Sequence, residues 1–150
     1  MGLQGLCERG TIMEKSSELE QLYFRICEAQ SNGDGLFFEQ CFSQKDGVLA
    51  IGTDPEEWWV GHAAIARVFK AQLKEIEGIQ IKAGMPQAYY DGSIGWIAGR
   101  PTYTLPNGTE IPARFTAVLQ REEGGWKIVQ WHSSIGISNE DVTGERLTTR

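Results

Sequence analysis

Apolar positions along the chain change period near residue 79. Before that point they recur every three or four residues, the spacing of a helix face; after it they alternate, the spacing of a sheet face. Leu19, Leu22, Tyr23 and Ile26, widened by Cys27 and Ala29, predict a first helix starting at Ser16 or Ser17. Ser17 and Glu20 have capping-box spacing. Asn32-Gly33-Asp34-Gly35 stops the helix, because glycine and asparagine accept the left-handed conformation of a helix end. Leu36, Phe37, Phe38, Cys41 and Phe42 predict a second helix of two turns. Residues 48–51 read as a short strand. Ile65, Val68, Phe69, Leu73 and Ile76 predict a third helix closed by Gly78.

Beyond residue 79, Asp91-Gly92 and Asn107-Gly108 are hairpin signals, since a type I′ turn needs positive φ at both central positions. Glu122-Glu123-Gly124-Gly125 marks a third reversal before a strand over 126–137. Three helices with one early strand, then about four long antiparallel strands, predict an α+β fold with helices on one sheet face. Between the second and third helices, Pro55 holds Asp54 extended. Trp58 and Trp59 follow and cannot point the same way, so one is expected under the sheet and the other at a pocket mouth. Glu56-Glu57 reads as a solvated first turn favouring the N-terminus of the third helix.

This order of elements, with two segments, resembles the nuclear transport factor 2-like superfamily, and within it the SnoaL-like and ketosteroid-isomerase-like proteins. One segment runs from Ile51-Gly52-Thr53-Asp54-Pro55 through Trp58-Trp59-Val60-Gly61 to Ala63-Ala64-Ile65; the other holds Arg114-Phe115-Thr116-Ala117-Val118-Leu119 and Gly125-Trp126 through Trp131-His132-Ser133-Ser134. The resemblance implies a cystatin-like cone, a curved antiparallel sheet wrapped round three helices with a ligand-sized pocket at its open end. Residues 16–138 are expected to form this single domain, with a loose lead-in over 1–15 and a polar tail over 139–150. The spacing of Thr11 and Glu14 offers an alternative, earlier helix start.

Composition narrows the function classes. Fourteen basic against twenty acidic residues give a net charge of −6, which disfavours nucleic acid or an anionic membrane as partner. No apolar run reaches the ~18 residues of a membrane span, and the N-terminus lacks the pattern of a signal peptide. Three cysteines, Cys7, Cys27 and Cys41, have no metal or disulfide spacing; two fall on helix faces as core residues, which suits the cytoplasm. No metal or cofactor is implied.

Steroid isomerase chemistry needs a carboxylate base, a tyrosine and a protonated acid. Here Ala50, Ile51 and Gly52 stand where the resemblance places the base, Thr116 or Ala117 where it places the second acid, and Tyr23 one turn from its tyrosine; that activity is not expected. If Asn107-Gly108 is a two-residue turn, Arg100 lies opposite Phe115, Ala98 opposite Ala117 and Trp96 opposite Leu119. Trp96, Arg100 and Phe115 then share the pocket face, while Arg114, Thr116 and Val118 face outward with Ile128. For the last hairpin, an even loop would turn Gln130 and His132 inward, whereas a three-residue loop with a glycine bulge would turn Trp131 and Ser133 inward. The resemblance, which places the positions of Ala117 and Ser133 in the cavity, favours the bulge.

The candidate ligand-binding set is therefore Arg100, Trp96, Phe115, Trp131, Ser133, Trp59 and Tyr23. An inward guanidinium needs an anion, from the protein (Glu39 or Glu57) or from a small apolar or aromatic carboxylate ligand. His132 is a weak catalytic candidate, because imidazole titrates near neutrality, and no other catalytic residue stands out. Three readings stay open: a binding module, a cofactor-independent isomerase, lyase or hydrolase, and a dimerisation module with a vestigial pocket. A homodimer through the outer sheet face is expected, since a half-apolar sheet face of that size is usually covered.

Overall fold

The protein is described by a computed structural model over residues 13–150. Residues 1–12 of the expected lead-in, with Cys7, lie outside the described residues, and its last two residues, expected to be loose, form strand β1. The elements are β1 (Glu14–Lys15), α1 (Ser17–Asn32), α2 (Gly35–Cys41), β2 (Leu49–Ile51), β3 (Trp58–Val60), α3 (His62–Glu75), β4 (Gln80–Lys82), β5 (Gln87–Asp91), β6 (Ile94–Gly99), β7 (Thr102–Thr104), β8 (Glu110–Pro112), β9 (Arg114–Glu122), β10 (Gly125–Ser134) and α4 (Asn139–Thr143).

Glu14 and Lys15 pair with β5, so α1 starts after them. Its cap is Ser16, whose Oγ accepts the Leu19 N–H at 3.1 Å. Ser17 is already helical, so the box it would form with Glu20 is not made. Gly33, at φ 66°, closes the helix, and Asp34 caps α2 by accepting the Phe37 N–H at 3.1 Å. The Trp58-Trp59 segment is not a lead into α3 but strand β3, which forms a hairpin with β2. Helix α3 ends at Glu75 with Ile76 as its cap, ahead of Gly78. Part of the expected polar tail is the short helix α4.

Seven strands form one sheet in the order β1-β5-β6-β9-β10-β2-β3, and β4-β7-β8 form a second. The fold is α+β with the helices on one face. The sheet departs from pure antiparallel order at one place, where β2 runs parallel to β10. Helices and inner sheet face meet in a core that includes Leu19, Ile26, Phe38, Ile65, Leu119 and Ile128. Each such side chain, fully buried, contributes about 1.5–3 kcal/mol.

One turn overturns the expected register. Asn107-Gly108 is not a two-residue loop: the Gly108 N–H bonds to Leu105 O at 2.8 Å and the Leu105 N–H to Thr109 O at 2.9 Å. Pro106 and Asn107 occupy the central positions, and Gly108 follows at φ 86°, so the loop holds three residues. Every pairing moves by one position: Gly99 faces Phe115, Ile97 faces Ala117 and Trp96 faces Val118. A one-residue slip exchanges the faces of a strand. Trp96 and Ala98 therefore lie on the outer face, and Ile97 lies in the core, 1% exposed. The first hairpin is likewise shifted, with Asp91 paired to Ile94 across Gly92-Ser93.

The last hairpin reaches the expected inward pair by another device. Its loop is the two residues Glu123-Gly124, but the ladder slips between Ile128 and Gln130. The extra residue is Val129, a bulge within β10. Trp131 then pairs with Ala117 and Ser133 with Phe115, both inward, while His132 pairs with Thr116 on the outer face. Ile128, expected outside, pairs with Leu119 and is fully buried.

Candidate functional site

A cavity of about 330 Å³ opens between α3, the β2–β3 hairpin and the small sheet. Its floor is aromatic. Trp131, 3% exposed, meets Phe69 edge-on at 5.1 Å and is backed by Phe115 at 4.6 Å. Trp59 stands edge-on to Phe69 at 6.3 Å from β3. Ile81, Leu105 and Ile111 line the small-sheet side. Thr53, Glu75, Ile76 and Ile135 are exposed lining residues and form the rim.

The polar lining residues are Gln30, Thr53, Glu57, Gln72, Glu75, Tyr103 and Ser133. Ser133 is 5% exposed, and its Oγ makes no hydrogen bond of normal geometry, although the Tyr103 phenol stands near enough to feel it. A buried hydroxyl left in that state costs about 1–3 kcal/mol unless something in the cavity bonds it. Tyr103 lies half-buried in the wall, and its phenol is raised above the usual tyrosine range, chiefly by burial, with Cys27 and Glu57 adding to the shift and Ser133 and Gln30 opposing it. It stays protonated at neutral pH and can donate.

Glu57 is the half-buried carboxylate of the set. It does not belong to the first turn of α3, which begins at His62; it closes the β2–β3 hairpin, where the Gly52 N–H bonds to its carbonyl at 2.9 Å. Its side chain folds back over Gly52. A Cβ added to Gly52 would lie 1.7 Å from Glu57 Oε2 and 2.8 Å from its Cβ, so only glycine leaves room for this carboxylate in the cavity wall. Oε1 accepts from the Gln72 side-chain amide at 3.1 Å.

Of the residues singled out in the sequence, Trp59, Trp131 and Ser133 line the cavity together. Arg100 does not: it is exposed and lies beyond the end of β6. It makes no ion pair with Glu39 or Glu57, the pair Arg146–Glu140 being the one such contact among the described residues. The expectation of a carboxylate ligand rested on that cation and loses its footing. Trp96 lies on the outer face, against Tyr89 at 6.3 Å.

Phe115 and Tyr23 are core residues behind the cavity wall, 5.7 Å apart between ring centroids. Tyr23 donates to the Ala83 carbonyl, and burial raises its phenol far above the usual range. It reaches that place because Gly99 has no side chain; a Cβ there would meet the phenol oxygen at 2.5 Å. His132 is exposed, outside the cavity. His62 is half-buried at the start of α3, with Nε2 2.7 Å from the Glu39 carbonyl oxygen. Tyr103, Gln72 and Gln30 were not singled out, and Glu57 was expected as a solvated turn residue or as a partner of Arg100, not as part of the cavity wall. The spacing of Gly52 and Glu57 carried a signal, but it is legible only once 52–57 is known to be a hairpin loop.

Comparison with known proteins yields one family model, described as a SnoaL-like domain, which matches residues 19–138. No curated protein matches the chain. Among solved structures, the chain is similar to an NTF2-like protein of unknown function from Pseudomonas putida KT2440, at 13% identity over 91% of this chain and 98% of that one, with a TM-score of 0.69. It is similar to an NTF2-like superfamily protein from Salmonella enterica serovar Typhimurium, at 18% identity over 81% and 91%, with a TM-score of 0.71. A third is an NTF2-like protein with a cystatin-like fold from Novosphingobium aromaticivorans, at 15% identity over 79% of each chain and a TM-score of 0.66. At these identities the likeness concerns the fold. No helix among the described residues is long and apolar enough to cross a membrane.

Proposed function

The chain belongs to the SnoaL-like family, and we propose that it acts there as a small-molecule-binding domain that holds a compact apolar or aromatic ligand. One observation carries this reading: an aromatic floor formed by Trp131, Phe69 and Trp59 surrounds a buried hydroxyl, Ser133 Oγ, that the protein leaves unbonded. Binding sites commonly combine apolar walls with a few placed polar groups. The volume of about 330 Å³ accepts roughly ten non-hydrogen atoms, at ~30 Å³ each, the share of a liquid water. The test is a thermal-shift panel of compact cyclic compounds. A ligand present at ten times its Kd stabilises by about 1.4 kcal/mol, a rise of roughly 3–6 °C in a domain of this size. A panel without any shift would defeat the proposal.

A second reading, proton-transfer catalysis in the same cavity, has Glu57 in its favour, a half-buried carboxylate in the wall near the protonated phenol of Tyr103. For assembly we propose a homodimer through the outer sheet face. That face carries two cross-strand rows, Gln87-Ala98-Thr116-His132-Ile51-Trp58 and Tyr89-Trp96-Val118-Gln130-Leu49-Val60. The one charged residue in these rows is Lys15, which extends the second row on β1 opposite Tyr89, and Trp58 and Val60 are 61% and 65% exposed. With Lys15 and Arg114 at its margins, the apolar middle of the face can meet its own copy across a two-fold axis without opposing like charges. The free, buried thiols of Cys27 and Cys41 support a reducing, cytoplasmic setting.

A further inference from the structure

We infer, resting on the binding function proposed above, that the ligand is a small organic cation: an ammonium group carried on an apolar or aromatic body. Two carboxylates, Glu57 and Glu75, line the cavity, and among the described residues no lysine, arginine or histidine does. Glu75 is exposed at the rim, but Glu57 is half-buried in the wall. Its contacts are with neutral donors, the Gln72 amide at 3.1 Å and the Asp54 N–H at 3.4 Å. A carboxylate drawn partly out of water without a counter-ion is costly, and Gly52 holds this one in place. A bound ammonium supplies the missing charge.

Ser133 is an independent mark of a ligand in this cavity and suits the same occupant. It is 5% exposed, lines the cavity and leaves Oγ without a partner. A hydroxyl oxygen has two lone pairs for the N–H of an ammonium. The rings of Trp131, Trp59 and Tyr103 surround the same space, and indole and phenol faces attract cations. A carboxylate ligand would instead meet Glu57 at short range inside a chain of net charge −6.

The test is calorimetric titration with three probes of one shape: cyclohexylmethylammonium, cyclohexylmethanol and cyclohexanecarboxylate. The ammonium is expected to bind roughly tenfold more tightly than the alcohol, the scale of a partly desolvated cation–π and charge contact, and the carboxylate most weakly. Glu57→Gln should reduce the ammonium to about the affinity of the alcohol and cost the alcohol much less. Glu75→Gln, at the solvated rim, should cost the ammonium less. Added salt should shrink the ammonium advantage, a readout that stands even if Glu57→Gln does not fold. An alcohol that binds the parent as tightly as the ammonium, or an ammonium advantage indifferent to both salt and Glu57→Gln, would overturn the cation inference while the binding function survives. Failure of all three probes to bind would overturn both.

Discussion

Replacing Gly52 by alanine tests whether Glu57 is held in the cavity wall as described. The new Cβ would sit 1.7 Å from Glu57 Oε2, 2.7 Å from Cδ and 2.8 Å from Cβ. Rotating the side chain away relieves the contacts to Oε2 and Cδ, but the contact to Cβ is fixed by the backbone, so the carboxylate must leave its place and the 52–57 loop must give by a few tenths of an ångström. That forfeits the bond from Gln72, about 1.5–3 kcal/mol for a charged acceptor. Against it stands the 0.4–1 kcal/mol that alanine gains over glycine through the unfolded chain. The net expectation is a loss of about 1–2 kcal/mol, read as a lower urea midpoint at unchanged slope. The decisive arm is the double variant with Glu57→Ala. If Glu57 is what the new Cβ meets, the two costs fail to add by ~1 kcal/mol or more, within the usual coupling range for touching residues. Additive costs would refute the packing of Glu57 over Gly52.

Three further outcomes follow from the same structure. Ser133→Ala removes an unbonded buried hydroxyl, so the unliganded protein should keep or raise its Tm, by up to about 2–4 °C for ~1 kcal/mol; a fall of that size would show that the hydroxyl is bonded. Burial pushes the Cys27 thiol up to about 11 and the Cys41 thiol to about 12, from an ordinary 9.0. An acid whose folded pKa is raised stabilises fully below its unfolded pKa and stops doing so as pH climbs through the folded value. Tm should therefore fall as pH rises from about 9 toward 12, less steeply in the Cys27→Ala, Cys41→Ala variant; equal slopes in the two proteins would contradict the burial of these thiols. Light scattering should give twice the 16.7 kDa chain mass, and Val118→Asp on the outer face should give the chain mass alone; a monomeric parent at micromolar concentration ends the dimer proposal.

The three principal helices were legible because their stripes and stops are local: Ser16, Gly33 and Asp34 act within four residues of themselves. The site was only half legible because it depends on register. In Leu105-Pro106-Asn107-Gly108 the Asn-Gly pair suggested a two-residue loop. The missed signal was Pro106, whose fixed φ suits the first central position of a type I turn and leaves Gly108 to take the left-handed residue after it. That one residue moved Trp96 to the outer face and left Arg100 exposed outside the cavity. The bulge at Val129 has no marker in the sequence; the inward placement of Trp131 and Ser133 followed instead from the resemblance. Glu57 was misplaced because Trp58-Trp59 was not recognised as a strand, and a strand there turns 52–57 into a loop folded on itself.

The chain's five tryptophans offer the most direct test of the central claim, that the cavity beside Trp131 and Trp59 is the ligand site. Trp59 and Trp131 line it, Trp58 and Trp96 lie on the outer sheet face, and Trp126 lies at the opposite end, where its Nε1 donates to Glu18. Indole N–H resonances in a ¹⁵N-labelled sample, assigned with single Trp→Phe variants, should be followed while cyclohexylmethylammonium is added. The account predicts saturable shifts at Trp59 and Trp131, with Trp58, Trp96 and Trp126 unmoved. Shifts confined to Trp58 and Trp96, or none at Trp59 and Trp131 at saturating probe, would contradict it.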